Sequence, residues 1–258
     1  MFIIKRGEHS PRVVLLQIML NRQGAELTVD GIFGRRTRAA VVSFQASKHR
    51  TTTGVMDPAT WAELAAGTSE ALVDVVDIGD PMLATREAAE LRQAGSNPIE
   101  LGGMCNGITQ MVNDVIRRAD STGPIALLRI TGHGNLGRWM TVSVGDVAHL
   151  HGQEYEVIAG EYFSYIDLDH FDEVSPILGR LKPYFASFGS MEHLGCSIGS
   201  RPNSRKMMKK LSDLWSVPVS AGIPTQLHVL HFDGAVFTAY PDGGTLSGWS
   251  RKFRNVCL

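Results

Sequence analysis

From Ser10-Pro11 onward, Val13, Val14, Leu16, Gln17 and Leu20 recur at helical spacing, with Ser10 placed to cap the helix and Pro11 at its first position. Gly24 closes this helix, and Val29-Asp-Gly-Ile-Phe-Gly34 reads as a tight turn. The helical period resumes from Arg36 to Ser47 through Thr37, Ala40, Val41 and Phe44. A second turn, Thr53-Gly-Val-Met-Asp57, precedes a third helix that begins at Pro58 and carries Trp61 and Leu64, with Asp57 as its cap. The period stops at Gly67-Thr-Ser-Glu70, a small-residue break that divides the chain into residues 1–67 and 68–258.

Beyond the break the pattern alternates. Ala71 to Ile78 has the β-branched content of a strand, Thr85 to Ala94 reads as a helix, and Met104 to Ala119 as a longer one with Ile108, Met111, Val112, Val115 and Ile116 on one face. Pro124 to Thr131 is a nearly unbroken apolar run, which predicts a strand buried on both faces of a parallel sheet. Residues 140–168 are mixed, read as loop and short strand. The acidic group Asp167, Asp169, Asp172 and Glu173 leads into a helical stretch from Val174 to Lys182. Phe188 to Cys196 gives a strand and turn, Asn203 caps a helix from Ser204 to Trp215, Val217 to Ala221 is a short strand, and His231 to Pro241 runs to the sheet edge. The expected class is therefore α + α/β: a small three-helix N-terminal domain, then an α/β domain with a mostly parallel central sheet.

Composition narrows the partners. The chain has 258 residues, 43% hydrophobic and 20% charged, with a formal net charge of -1. No basic stripe points to nucleic acid and no long apolar run points to a membrane. Four apolar residues at the N-terminus are too few for a secretory signal, so the chain reads as made in the cytoplasm. Cys105, Cys196 and Cys257 are odd in number and irregular in spacing, which suits free thiols rather than disulfides or a zinc site. His149 and His151 lack a companion ligand at a recognised offset, so no metal and no cofactor is expected.

Two strand ends carry reactive side chains. His133 is released between Gly132 and Gly134 at the end of the apolar strand, where open α/β sheets place ligands and catalytic groups. Cys196 stands in Leu194-Gly-Cys-Ser-Ile-Gly-Ser200, where small neighbours allow close approach of a substrate. A thiol beside an imidazole attacks carbonyls as a thiolate, the imidazolium protonates the leaving group, and amides at Gly134, Gly195 or Cys196 would face the oxyanion. Asn135, Asp146 and Asp172 are candidates for a residue that orients the histidine.

The first seventy residues resemble the three-helix peptidoglycan-binding module of bacterial cell-wall enzymes through Leu16-Gln17, Leu20-Asn21, Val29 to Gly34, Thr37, Ala40-Val41, Phe44-Gln45, Thr53 to Asp57 and Thr60-Trp61-Leu64. The resemblance implies a non-catalytic binder of peptidoglycan with Asp30, Phe33 and Thr37 near its groove, acting at the periplasm or cell wall after non-classical export. Ile130-Thr-Gly-His-Gly134 and Leu194-Gly-Cys-Ser-Ile-Gly199 resemble the caspase-like cysteine peptidases, which implies a caspase-like α/β domain over 68–258 with Cys196 and His133 as a dyad and a protein or peptide as substrate. The chain lacks a clear specificity-pocket residue and the acidic or glutamine element that several active members place before the cysteine. Three functions follow: a cell-wall-targeted cysteine hydrolase, a wall-binding protein with an inactive caspase-like interaction domain, or an L,D-transpeptidase-type enzyme suggested by His193 three residues before Cys196.

Overall fold

Helix α1 (Pro11–Arg22) is the pivot of the molecule, because every residue from Pro11 to Leu20 is buried. A helix buried all round must be covered on all sides. Two further helices, α2 (Arg35–Ser47) and α3 (Pro58–Ala65), cover one side. The other side lies against the sheet of the second half. The computed structural model describes residues 2–77, 81–101, 107–132, 140–141, 147–150, 153–156, 165–166, 168–169 and 171–254.

Within the helical module two buried glutamines hold the turns. Gln17 accepts from the Asp30 and Gly31 amides at 3.0 and 2.9 Å and donates to Asp30 Oδ1 and Thr37 Oγ1 at 2.8 and 3.2 Å. Gln45 repeats the device one helix later, accepting from Gly54 N at 2.9 Å and donating to Val55 O at 2.9 Å and Thr60 Oγ1 at 3.2 Å. Each amide satisfies a turn that would otherwise bury unpaired backbone groups. Asp57 caps α3 as expected, accepting from Thr60 N at 2.7 Å. Ser10 sits at the N-cap of α1, yet its hydroxyl donates to Glu8 Oε1 at 2.8 Å rather than capping the helix.

The second half contains β1 (Ala71–Asp77), α4 (Pro81–Gln93), β2 (Ile99–Leu101), α5 (Gly107–Thr122) and β3 (Ile125–Thr131). Short strands follow: β4 (Met140–Thr141) pairs with β7 (Tyr165–Ile166), and β5 (Val147–Leu150) with β6 (Gln153–Glu156). Then come α6 (Phe171–Gly179), β8 (Phe185–His193), α7 (Pro202–Trp215), β9 (Val219–Gly222), β10 (Val236–Ala239) and α8 (Leu246–Arg251). The central sheet has the order β10-β9-β8-β3-β1-β2, parallel throughout except for β10. The expected mixed α/β class with a mostly parallel sheet is found. From β1 the chain moves outward to β2 and then returns across β1 to β3, so the order reverses beside β1. Open α/β sheets bind ligands outside the carboxyl ends of strands at such a point.

Several boundaries differ from the sequence expectation. Helix α7 begins at Pro202, so Asn203 lies inside it and Arg201 is the flanking residue, because proline suits the first helical turn. Helix α4 starts at Pro81 for the same reason. The last strand covers only Val236–Ala239, since Asp233 and Gly234, the latter at φ 86°, turn the chain immediately before it. The short β2 and α8 have patterns too brief to read from periodicity.

Strand register aligns Asp74 of β1, Arg129 of β3, Glu192 of β8, Ser220 of β9 and Thr238 of β10 in one row across the sheet. This row faces α1: Arg129 lies 5.1 Å from the Phe2 ring, and Arg12 Nη1 is 3.6 Å from Glu192 Oε2. Alternation along β8 sends the next residue, His193, to the opposite face. Helices α5, α6 and α7 pack side by side across that face. One continuous apolar cluster runs from Phe2 and Leu16 through Val73, Leu128 and Met191 to Trp249. The three-helix module thus serves as the helical layer that one face of the sheet requires.

Candidate functional site at the strand ends

The carboxyl ends of β3 and β8 lie side by side. Leu194 N donates to Ile130 O at 2.8 Å, and a Cβ built on Gly195 would come within 2.9 Å of Gly132 O. Cys196 begins the turn that follows, with Ser197 in the left-handed region at φ 58°, and a 3₁₀ turn then feeds α7. A cysteine between a strand and a helix, with small neighbours, stands clear of the sheet where a substrate carbonyl can reach it. Its thiol is half-buried and donates to Gln226 O at 3.7 Å.

The amides around the thiol divide into two kinds. Gly195 N donates to His193 Nδ1 at 2.9 Å, and Ser197 N donates to Pro224 O at 3.1 Å, so both are engaged inside the protein. Cys196 N has no acceptor among the described residues. Of these three amides, that of Cys196 is the one left without an internal acceptor among the described residues. The Gly195 expectation thus meets a competing hydrogen bond that only the folded turn reveals. His193 is fully buried, its ring lying against Gly195, where an added Cβ would stand 2.5 Å from Cε1.

His133 and Gly134 lie outside the described residues, as do Asn135, Asp146, Cys105 and Cys257. Among the possible orienting residues Asp172 is described: it is exposed, pairs with Lys210 at 3.3 Å and lies in the first turn of α6. His151 also lies outside the described residues.

The module residues expected at a groove take framework positions. Phe33 is fully buried, Thr37 is buried and donates to Ile32 O at 3.1 Å, and Asp30 Oδ1 accepts from Gln17 and from Ile32 N at 2.8 Å. An open groove of about 660 Å³ lies elsewhere on the module, between α1 and α2, with Gln23, Glu26, Arg36, Ser43, Phe44 and Lys48 among its lining. It offers both charge signs beside an aromatic ring.

The loop from Ile223 to Ala235 forms the wall next to Cys196. It brings together His228, His231 and Asp233, whose ligand atoms all lie within 4.8 Å of one another. Sequence reasoning passed over this trio, although two histidines and an aspartate within six residues, 228–233, were a readable signal. Among the described residues no helix is long and apolar enough to cross a membrane.

Residues 9–64 match the family described as "Putative peptidoglycan binding domain". A search of curated proteins returns no match. Among solved structures, similar chains include a peptidoglycan-binding protein from Clostridioides difficile in complex with glutamine hydroxamate, at 39% identity over 24% of this chain and 39% of that one, TM-score 0.24. A Burkholderia AP3 phage endolysin is 32% identical over 35% of this chain and 33% of that one, TM-score 0.25. A fused Zn-dependent amidase/peptidase/peptidoglycan-binding domain-containing protein from Clostridium acetobutylicum is 27% identical over 37% of this chain and 44% of that one, TM-score 0.25. The chain spans less than half the length of each of these solved chains. The N-terminal segment thus carries a peptidoglycan-binding-type module, fused here to a mixed α/β domain with a mostly parallel sheet.

Proposed function

We propose that the chain is a cell-wall-directed cysteine hydrolase, a peptidase of the caspase-like kind, in which residues 1–67 bind peptidoglycan and residues 68–258 cut. The observation that carries this reading is the position of Cys196. It follows the carboxyl end of β8, its own amide has no acceptor among the described residues, and the neighbouring strand β3 ends two residues before His133 in the sequence. In the proposed reaction the Cys196 thiolate attacks the scissile carbonyl, and the Cys196 amide, with Gly134, holds the oxyanion. The carbon–nitrogen bond breaks as protonated His133 gives its proton to the amine, and water then releases the acid from the thioester. The sheet order supports the caspase-like comparison, and the match over residues 9–64 supports the wall as the place of action. The groove between α1 and α2 is the candidate seat for a zwitterionic peptide stem, with Arg36 and Lys48 available to its carboxylates and Glu26 to its amine.

One observation favours the inactive reading: in this conformation the Cys196 thiol is hydrogen-bonded to the Gln226 carbonyl. The L,D-transpeptidase reading has lost its support, because that family is all-β and His193 is buried against Gly195. Incubating purified sacculi with the wild-type protein and with Cys196→Ala decides between the first two. Release of new muropeptides by the wild type alone supports the hydrolase. Equal sedimentation of both with sacculi and unchanged muropeptides leaves a binding protein.

A further inference from the structure

We infer that His228, His231 and Asp233 form a binding site for a divalent transition-metal ion of the zinc class, which clamps the loop beside Cys196. The two imidazoles are stacked, with ring centroids 4.6 Å apart and planes 22° from parallel. Both converge on one carboxylate oxygen: His228 Nδ1 lies 2.6 Å and His231 Nε2 3.7 Å from Asp233 Oδ1. Two nitrogens and one oxygen within 4.8 Å need only small side-chain rotations to reach the roughly 2.0–2.2 Å ligand distances of zinc.

The backbone that presents these side chains is fixed from below. Asp233 Oδ2 accepts from the Leu227 and His228 amides at 2.6 and 3.1 Å, which leaves Oδ1 turned toward the imidazoles. Asp233 N donates to Gln226 Oε1 at 2.9 Å, and Gln226 Nε2 donates to Pro224 O at 2.8 Å. Between the ligands, Val229 O accepts from the buried Arg129 at 3.1 Å and Leu230 O accepts from Ile3 N at 2.8 Å. The loop is therefore anchored to the charged row and to the N-terminal segment, while its three donors sit at the rim. Outer hydrogen bonds of this kind orient metal ligands.

Burial works against the charge of the Asp233 carboxyl, but hydrogen bonds from the Leu227 amide and the His228 ring and amide outweigh it and hold it below the usual carboxylate range. The Asp233 carboxylate is therefore ionised at neutral pH. Two imidazoles with one carboxylate select zinc and its transition-metal neighbours over magnesium or calcium, which require more oxygen ligands. Three protein ligands leave the fourth position of a tetrahedral ion open to water. Because Gln226 lies in the same loop and its carbonyl accepts the Cys196 thiol, an occupied site would fix one wall of the candidate active site.

The test uses untagged, metal-stripped full-length protein carrying Cys196→Ala, so that this thiol cannot serve as a ligand. Equilibrium dialysis against Zn²⁺, with bound metal read by atomic absorption, should show one ion per chain that excess Mg²⁺ or Ca²⁺ does not displace. In that background His228→Ala, at an exposed position, and His231→Ala, at a half-buried one, should each weaken binding by more than the roughly 10–100-fold that loss of an outer partner costs. Substituted Co²⁺ should give a tetrahedral visible spectrum without a thiolate charge-transfer band. Zinc uptake that survives both histidine substitutions, a thiolate band, or no uptake at all would overturn the site. Circular dichroism of each variant separates lost binding from lost folding.

Discussion

Replacing Arg12 with methionine tests the claim that the module and the sheet form one core. Arg12 is 5% exposed, its Nε lies 2.6 Å from Glu8 Oε1 and its Nη1 3.6 Å from Glu192 Oε2. Its guanidinium also lies 5.7 Å from the Phe2 ring and 5.3 Å from the Phe232 ring. Methionine keeps the apolar stem but removes the charge, leaving Glu192, 3% exposed, with Arg129 alone for compensation among the described residues. Removing one member of a buried charge pair costs about 3–5 kcal/mol. In a domain of this size each kcal/mol moves Tm by about 2–4 °C, so Arg12→Met should melt about 6–20 °C lower. The control is Glu8→Gln/Arg12→Met/Glu192→Leu, which leaves the Arg129–Asp74 pair, 2.6 Å apart, as a neutral unit. Replacing a complete buried ionic set is often neutral or stabilising, so the triple variant should recover most of the loss. Circular dichroism melts would read both effects. Unchanged Tm in Arg12→Met, or a triple variant no better than the single, would refute the reasoning. Two separate transitions in the wild type would refute the shared core.

Glu192 sits above the ordinary carboxylate range because burial outweighs the attraction of Arg12 and Arg129, with Glu8 and Asp74 adding repulsion. A carboxyl raised on folding contributes stability that is complete below its unfolded pKa, about 4.3, and is lost as pH rises through its folded pKa. Glu192→Gln should therefore gain stability relative to wild type as pH rises from about 4, measured by urea unfolding across pH; a relative loss would show a lowered pKa instead. Gly195→Ala places a Cβ 2.5 Å from His193 Cε1 and 2.9 Å from Gly132 O. That overpacking should cost about 1–3 kcal/mol in urea unfolding, and an unchanged midpoint would mean the strand ends are less closely apposed than described. Asp57→Ala removes the cap on Thr60 N and should cost about 0.5–2 kcal/mol in the same assay, whereas Asp57→Asn should retain most of it.

Elements set by contacts between near neighbours were legible in the chain itself. The three N-terminal helices, the Asp57 cap, the buried strand β3 and the placement of Cys196 after a strand all follow from periodicity, capping chemistry and small residues at turns. What escaped were features that depend on register between strands remote in sequence. Asp74, Arg129 and Glu192 stand far apart in the sequence, each inside a different strand. Only the parallel pairing of β1, β3 and β8 aligns them, and only burial beneath α1 turns three carboxyl groups and two guanidiniums, counting Glu8 and Arg12, into one cluster with a formal net charge of -1. Likewise the sequence marks Gly195 as permissive, but the fold decides that its amide is taken by His193 while that of Cys196 is not. Local sequence fixes which backbone conformations are cheap. Which side chains share a buried space is a matter of tertiary register, and there desolvation sets the energy of every charge.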